Sequence, residues 1–199
     1  MDLILLNDAA RAAHLLGLAL GFGVAIIADL CAARSLFRPL DERELYDLQR
    51  YHHTVAFGLA LFWASGLVLL WLRTGFSPEN FSPKLIAKLC VVGLLTVNAY
   101  LIGRLGLPTM IAYAGHRFGD LPITHRLRLG ALAGMSSAGW IAALALGVFS
   151  ALKTFEWEVL SEIIGAIYIV GLGGAIVTAI FSPVVSFVID RTRNVRLAR

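Results

Sequence analysis

The composition of this 199-residue chain is outside the range of soluble globular domains, because 58% of its residues are hydrophobic and only 15% are charged. The length suits a single domain, residues 1–199. The net charge of +4 comes from basic residues that lie between apolar runs, and no basic stripe with interleaved aromatic residues is present. We therefore expect the lipid bilayer as partner and no nucleic acid.

Five apolar runs predict an all-α bundle of five transmembrane helices, since a spanning helix needs about 20 mostly apolar residues. Three runs, 54–72, 129–152 and 163–189, carry no charge at all. The third predicted helix starts at Ser82-Pro83, with Ser as the N-cap and Pro at the first helical position. The helices are predicted at about 10–34, 51–73, 83–105, 127–151 and 161–189.

Two further local signals refine these boundaries. Asp41 and Glu44 have the spacing of a capping box, so the second helix is predicted to begin in the cytoplasm before it enters the membrane. Ser182-Pro183 predicts a kink in the last run or the point where that run leaves the membrane. The third loop, 107–125, is predicted to lie partly along the inner membrane surface.

The basic residues set the orientation, because cytoplasmic loops retain Lys and Arg. The 17 basic residues divide twelve to five between the two sides, which places the N-terminus outside and the C-terminus in the cytoplasm. The twelve lie in the first loop, around the third loop and in the tail: Arg34, Arg38, Arg43, Arg50, Arg104, Arg117, Arg126, Arg128, Arg191, Arg193, Arg196 and Arg199. We expect a multi-pass protein of a bacterial inner membrane, with homo-oligomerisation left open.

Small residues spaced four apart predict the faces along which the helices pack. Four helices carry such stripes: Gly17, Gly21 and Ala25; Ala56, Ala60 and Ala64; Gly130, Gly134 and Ala138; Gly171, Ala175 and Ala179. His14 and Asp29 share the stripe of the first helix. His52 is in line with the alanine stripe of the second, whereas His53 points about 100° away.

Depth along the helices divides the polar residues into two groups. At about 1.5 Å rise per residue, Asp29 lies roughly 22 Å from His14. His14 is therefore predicted to pair with Lys88 near the outer surface. The predicted inner cluster contains four residues: Asp29, His52, His53 and Arg104.

Structural interpretations compete with each of these sites. Lys88 can extend to the headgroups, and Asp29 can pair with Arg34 or Arg104. His116 and His125 are expected to be solvated. Cys31 and Cys90 are expected to be small packing residues and to form no disulfide, because they lie at different depths.

The functional interpretation of His14 is an axial haem ligand or a proton carrier, because neutral imidazole binds iron and titrates near physiological pH. Lys88 then supplies a positive charge for a propionate or another anionic group. No second histidine lies at the depth of His14 to complete a bis-histidine site.

A histidine near the start of the first helix, Lys88 near the start of the third and Gly103-Arg104-Leu105 at its end resemble the HemJ-type protoporphyrinogen oxidases and the related CopD-like copper-resistance membrane proteins. The resemblance covers about residues 10–110. It implies a helical bundle that binds haem b or a porphyrin, with His14 as the haem-iron ligand. Where those proteins carry a histidine about eleven residues after the lysine, this chain has Ala99 with Asn98 beside it.

Two hypotheses about function follow. In the first, the protein binds haem b or a porphyrin through His14, Lys88 and Asn98 and serves redox or haem metabolism, as an oxidoreductase of HemJ-like type if it is an enzyme. In the second, it is a non-enzymatic carrier of a small solute or proton, or an assembly or scaffold protein of a membrane complex, with Asp29 and His52 as its inner gate. Copper handling is a third alternative, for which Met110, Met135 and the histidines offer no clustered motif.

Overall fold

The computed structural model describes the backbone of residues 2–197 and the side chains of residues 2–192, and all regular structure in that range is helical. Six α-helices follow one another along the chain: α1 (Leu3–Ala33), α2 (Glu42–Thr74), α3 (Pro83–Leu101), α4 (Leu107–Ala112), α5 (Ile123–Val148) and α6 (Trp157–Leu197). The side chains of Arg193, Arg196 and Arg199, which contribute to the predicted orientation, lie outside the described residues.

Five helical stretches of the described chain are long and apolar enough to span a membrane, in agreement with the five predicted helices. They are Leu3–Leu36, Glu42–Thr74, Pro83–Ala112, Ile123–Val148 and Trp157–Thr192. Only 6% of the most apolar window of the last stretch is buried inside the protein. Such a continuous apolar surface on α6 is suited to lipid rather than to water.

The starts of α2 and α3 have the capping residues that the sequence predicts. At the start of α2, Oδ1 of Asp41 accepts from the Glu44 backbone N–H (2.7 Å) and Oε2 of Glu44 accepts from the Asp41 backbone N–H (3.2 Å). The predicted capping box is therefore confirmed. Ser82 is the N-cap of α3 with Pro83 in its first turn, as predicted.

The third spanning stretch continues past the predicted end at residue 105. A π turn, Ile102–Gly106, joins α3 to α4. Pro108 explains the turn, since its ring nitrogen has no hydrogen to donate to the carbonyl of Arg104, four residues earlier. A widened turn absorbs this break while the chain keeps its direction.

Close backbone contacts pair the helices into two hairpins. α1 packs most extensively on α2, α5 packs on α6, and α3 packs mainly on α5. A Cβ added at Gly17 would lie 2.8 Å from the backbone nitrogen of Phe62, and one added at Gly134 would lie 2.7 Å from the carbonyl oxygen of Gly171. Glycine is needed at both positions because the neighbouring atoms belong to backbone.

The packing face of α2 differs from the predicted alanine stripe. Ala56, Ala60 and Ala64 are exposed, whereas Gly58 and Leu59 are buried against the neighbouring helices. The face of α2 that approaches α1 runs through Gly58 and Phe62, which lie two positions, or about 200°, around the helix from Ala56 and Ala60. The stripes of α1 and α5 do face the interior, with Gly17, Gly21, Ala25, Gly130, Gly134 and Ala138 all buried.

The bundle has two ends, which we name after residues near them. The Lys88 end contains the starts of α1, α3 and α6 and the ends of α2 and α5. The His52 end contains the end of α1, the start of α2, the π turn and the start of α5. The main core lies between them, around Leu59, Val91, Leu95, Trp140 and Leu146.

Candidate functional site

A cavity of about 290 Å³ lies at the His52 end, between α1, α2, α3 and α5. Most of its wall is apolar, formed by residues such as Leu59, Leu95 and Trp140. A few polar side chains interrupt this wall, among them Asp29, His52, Asn98, Ser136, Tyr113 and His116. An apolar pocket with a small number of polar groups is the usual form of a small-molecule site.

Asp29 lies in the last turns of α1 and reaches α5. Oγ of Ser137 donates a hydrogen bond to Oδ2 of Asp29 (2.9 Å). Arg34, which the sequence offers as a partner for Asp29, bonds instead to Glu44, with 3.2 Å between NH1 and Oε1. A charged aspartate at membrane depth costs about 2.5–3.5 kcal/mol on insertion scales, so its position facing a cavity favours a functional role.

His52 lies about three turns into α2, where it faces the cavity and is half-buried. It makes no hydrogen bond to any other described residue, although its ring lies 5.9 Å from that of His53. A Cβ on Gly103 would lie 2.7 Å from Nε2 of His52, so Gly103 provides the space that the imidazole occupies. His53 is exposed and donates from Nδ1 to the carbonyl of Gln49 (2.8 Å).

Asn98 lines the same cavity from α3 and is 4% exposed. Its Nδ2 donates to the carbonyl oxygen of Leu132 (3.0 Å), which ties α3 to α5. Arg104 lies in the π turn and is exposed. Of the predicted inner cluster, the structure therefore brings Asp29 and His52 to the cavity and places His53 and Arg104 at the surface.

The segment 113–121 covers one side of the cavity and is fastened to α6. Arg117 donates from NH1 and NH2 to the two carboxylate oxygens of Asp190 (2.9 and 2.6 Å) and from Nε to Asp120 (3.1 Å). The hydrogen bonds to Asp190 and Asp120 raise the pKa of Arg117 above its usual value. Gly119 permits the approach, because a Cβ there would collide with the Ser182 carbonyl and with Oγ of Ser186.

His14 and Lys88 lie at the opposite end, where they do not line this cavity. The ring of His14 stacks on Phe62 with centroids 3.9 Å apart. Its Nδ1 lies 3.2 Å from the Phe62 carbonyl oxygen, which can only accept, and 3.1 Å from Oγ of Ser65. Because Ser65 donates its own proton to the Leu61 carbonyl (2.7 Å), we assign the ring proton to Nδ1. The hydrogen bonds of His14 go to α2, and none joins it to Lys88 among the described residues.

Lys84 accompanies Lys88 on the same face of α3 and is only 6% exposed. Its Nζ donates to the carbonyl oxygen of Phe149 (2.6 Å), the C-cap residue that follows α5. The negative end of the α5 dipole favours this cation, so the buried charge of Lys84 has a structural explanation.

The sequence did not indicate several residues that line the cavity or bond to its lining. Trp140, 2% exposed, is a wall residue with no polar neighbour in the sequence to mark it. Ser137 is the partner of Asp29, and the only signal for it was a polar side chain next to the predicted packing residue Ala138. Tyr113 also lines the cavity.

The residues can be tested for their fit to haem. His14 meets one requirement, because an imidazole whose Nδ1 donates to a carbonyl presents an oriented Nε2 to a metal. A haem in the cavity would also need this imidazole in the wall and a positive charge near each propionate. The lining contains neither His14 nor any Lys or Arg. Within the described residues, no three His, Cys, Asp or Glu side chains converge on one point. The cavity therefore does not fit a porphyrin held as the resemblance implies.

Comparison of the chain with models of protein families, with curated proteins and with solved structures gives no match.

Proposed function

We propose that this chain is a multi-pass protein of a bacterial inner membrane that binds a small, mostly apolar solute in the cavity at the His52 end and carries it as a non-enzymatic protein. The observation that supports the proposal is the cavity itself, which lies inside the helical bundle with an apolar wall and a few hydrogen-bonding groups. Its volume is close to the lower end of the range of about 300–1,000 Å³ for ligand pockets, which favours a small solute.

The distribution of basic residues supports a cavity that faces the cytoplasmic half of the membrane. Arg34, Arg38 and Arg117 all lie at the His52 end, where cytoplasmic loops would place them. The segment 113–121 then separates the cavity from the cytoplasm.

A binding measurement tests this function with neopentylbenzene, a neutral hydrocarbon of suitable size. We expect saturable binding, with one site per chain, to the full-length protein in lipid nanodiscs, measured by ligand-observed NMR against empty nanodiscs. Ala99→Phe places a ring in the cavity and should abolish the binding, because Ala99 lines its wall. Ala56→Phe makes the same change on an exposed face of α2 and should leave binding unchanged. Binding no greater than to empty nanodiscs, or equal in the two variants, would refute the proposal.

Haem binding is a second candidate, supported by the oriented imidazole of His14. The visible spectrum of protein purified after haem is supplied during expression tests it. A Soret band that is lost in His14→Ala and retained in His116→Ala would support haem binding. Colourless wild-type protein would exclude it.

A further inference from the structure

We propose that the solute bound in this cavity is a lipophilic cation, an apolar molecule with one ammonium-type charge, and that Asp29 recognises that charge. The inference rests on the proposed function of the cavity and adds the chemical class of its ligand. Four features of the site support it: the charges of the lining, the positions of the nearby basic residues, the bonding of Asp29 and the aromatic wall.

The lining of the cavity carries one acidic group and no basic side chain of the Lys or Arg type. The acidic group is Asp29. The remaining ionisable groups there are the imidazoles of His52 and His116 and the phenol of Tyr113. An anionic ligand would find no fixed positive charge in this cavity, whereas a cation would find a carboxyl group.

Four of the basic residues near this end are bonded to groups other than Asp29, and Arg104 in the π turn is exposed and does not line the cavity. Arg34 and Arg38 both bond to Glu44, at 3.2 and 2.6 Å. Arg117 bonds to Asp190 and Asp120. Arg126 donates to the carbonyl oxygen of Ala179 (3.0 Å) and to Oγ of Ser182 (3.3 Å).

Asp29 itself has acceptor capacity to spare. Among the described residues its only hydrogen bond comes from Ser137 Oγ, and it forms no ion pair. A carboxylate offers about four lone-pair positions, so one hydroxyl donor satisfies only part of the group. A bound cation would supply a further partner for this carboxylate.

The wall of the cavity suits the rest of such a molecule. Trp140, Phe118 and Tyr113 contribute aromatic rings, whose faces attract cations. Aliphatic side chains, Leu59 and Leu95 among them, complete the wall and would contact an apolar body.

The experiment compares two probes of nearly the same shape, benzyltrimethylammonium and neopentylbenzene, which differ by a charged nitrogen in place of a carbon. Both are titrated into the full-length protein in nanodiscs, with empty nanodiscs subtracted. We expect the cation to bind at least about tenfold more tightly than the hydrocarbon, and Asp29→Asn to remove this preference while the hydrocarbon still binds. Asp8→Asn is the control, since it removes an exposed carboxylate from the same helix at the other end.

A second measurement needs no variant. Dicyclohexylcarbodiimide labels carboxyl groups in apolar surroundings, and bound benzyltrimethylammonium should protect Asp29 from it, as read by mass spectrometry. Equal affinity for the two probes, a preference that survives Asp29→Asn, or no protection would overturn the inference and leave the cavity proposal standing. If neither probe binds, both proposals fail.

Discussion

Gly17 and Gly23 lie on the same helix and differ in what surrounds them. A Cβ on Gly17 would come 2.8 Å from the Phe62 nitrogen and 3.0 Å from the Gly58 carbonyl oxygen, whereas no atom lies within 4 Å of the corresponding position at Gly23. Gly17→Ala should therefore separate α1 from α2 and lower the free energy of unfolding by about 1–3 kcal/mol, the usual cost of overpacking.

Gly23→Ala is the matched control and should raise the free energy of unfolding by about 0.5–1 kcal/mol, because alanine favours helix more than glycine does. Thermal unfolding of both variants in the same detergent measures the difference. Equal stabilities would contradict the backbone contact between α1 and α2.

For single residues, the sequence predicts which side chains face inward better than it predicts their hydrogen-bond partners. The spacing of His14, Gly17, Gly21 and Asp29 placed all four on the inner face of α1, as the structure has them. The partner of Asp29 was not predicted, because Ser136 and Ser137 are adjacent and only the rotation of α5 decides which one reaches α1.

Pro183 shows how one element depends on another. It lies inside α6 and lacks the N–H that would donate to the Ala179 carbonyl, four residues earlier. NH1 of Arg126 on α5 donates to that carbonyl oxygen at 3.0 Å, with Oγ of Ser182 at 3.1 Å as a second donor. The cation of one helix thus satisfies the acceptor that the proline leaves free in its neighbour.

Arg126→Met should lower the free energy of unfolding by about 1.5–3 kcal/mol, the usual contribution of a hydrogen bond from a charged group. In a Pro183→Ala background the same substitution should cost less than about half as much, because the alanine N–H then donates to Ala179. A double-mutant cycle measured by thermal unfolding gives this coupling. Arg128→Met, at an exposed position, is the control, and additive effects of Arg126→Met and Pro183→Ala would contradict the explanation.

Helix α2 shows what a sequence pattern leaves undetermined about an element. His52 was predicted to face the interior because it is in line with Ala56, Ala60 and Ala64, and it does line the cavity. Those alanines are nevertheless exposed, and His52 shares its face with Val55 and Leu59 instead. His52 therefore lines the cavity for a reason other than the predicted one. Each step of four residues moves about 40° around the helix, so the alanines turn progressively away from the side of His52, whereas Val55 and Leu59 stay close to it.

For the whole molecule, the twelve-to-five division of basic residues predicts the orientation in the membrane. Alkaline phosphatase, which is active only outside the cytoplasm, should be active when fused after Phe76 and silent when fused after Arg199. A fusion after Arg117 should also be silent, because that segment lies at the His52 end. The opposite pattern of activities would reverse the orientation and place the cavity in the outer half of the membrane.

The number of spanning helices could be predicted because it depends on apolar runs alone. The cavity could not, because it depends on the distances between α1, α2, α3 and α5. Those distances reflect particular contacts, such as Trp140 against Gly21 and Asn98 against the Leu132 carbonyl.

The position of the cavity between two separately packed parts of the chain has a consequence for biogenesis. Domains and hairpins emerge from the ribosome in order, N-terminal first. The α1–α2 hairpin can close around Gly17 and Gly58 while α5 has yet to be synthesised. Asp29 therefore enters the membrane before Ser137 is available to donate to it. The cavity can therefore be completed only after α5 has been made, and a chain that stops before α5 would have the carboxyl group without its partner.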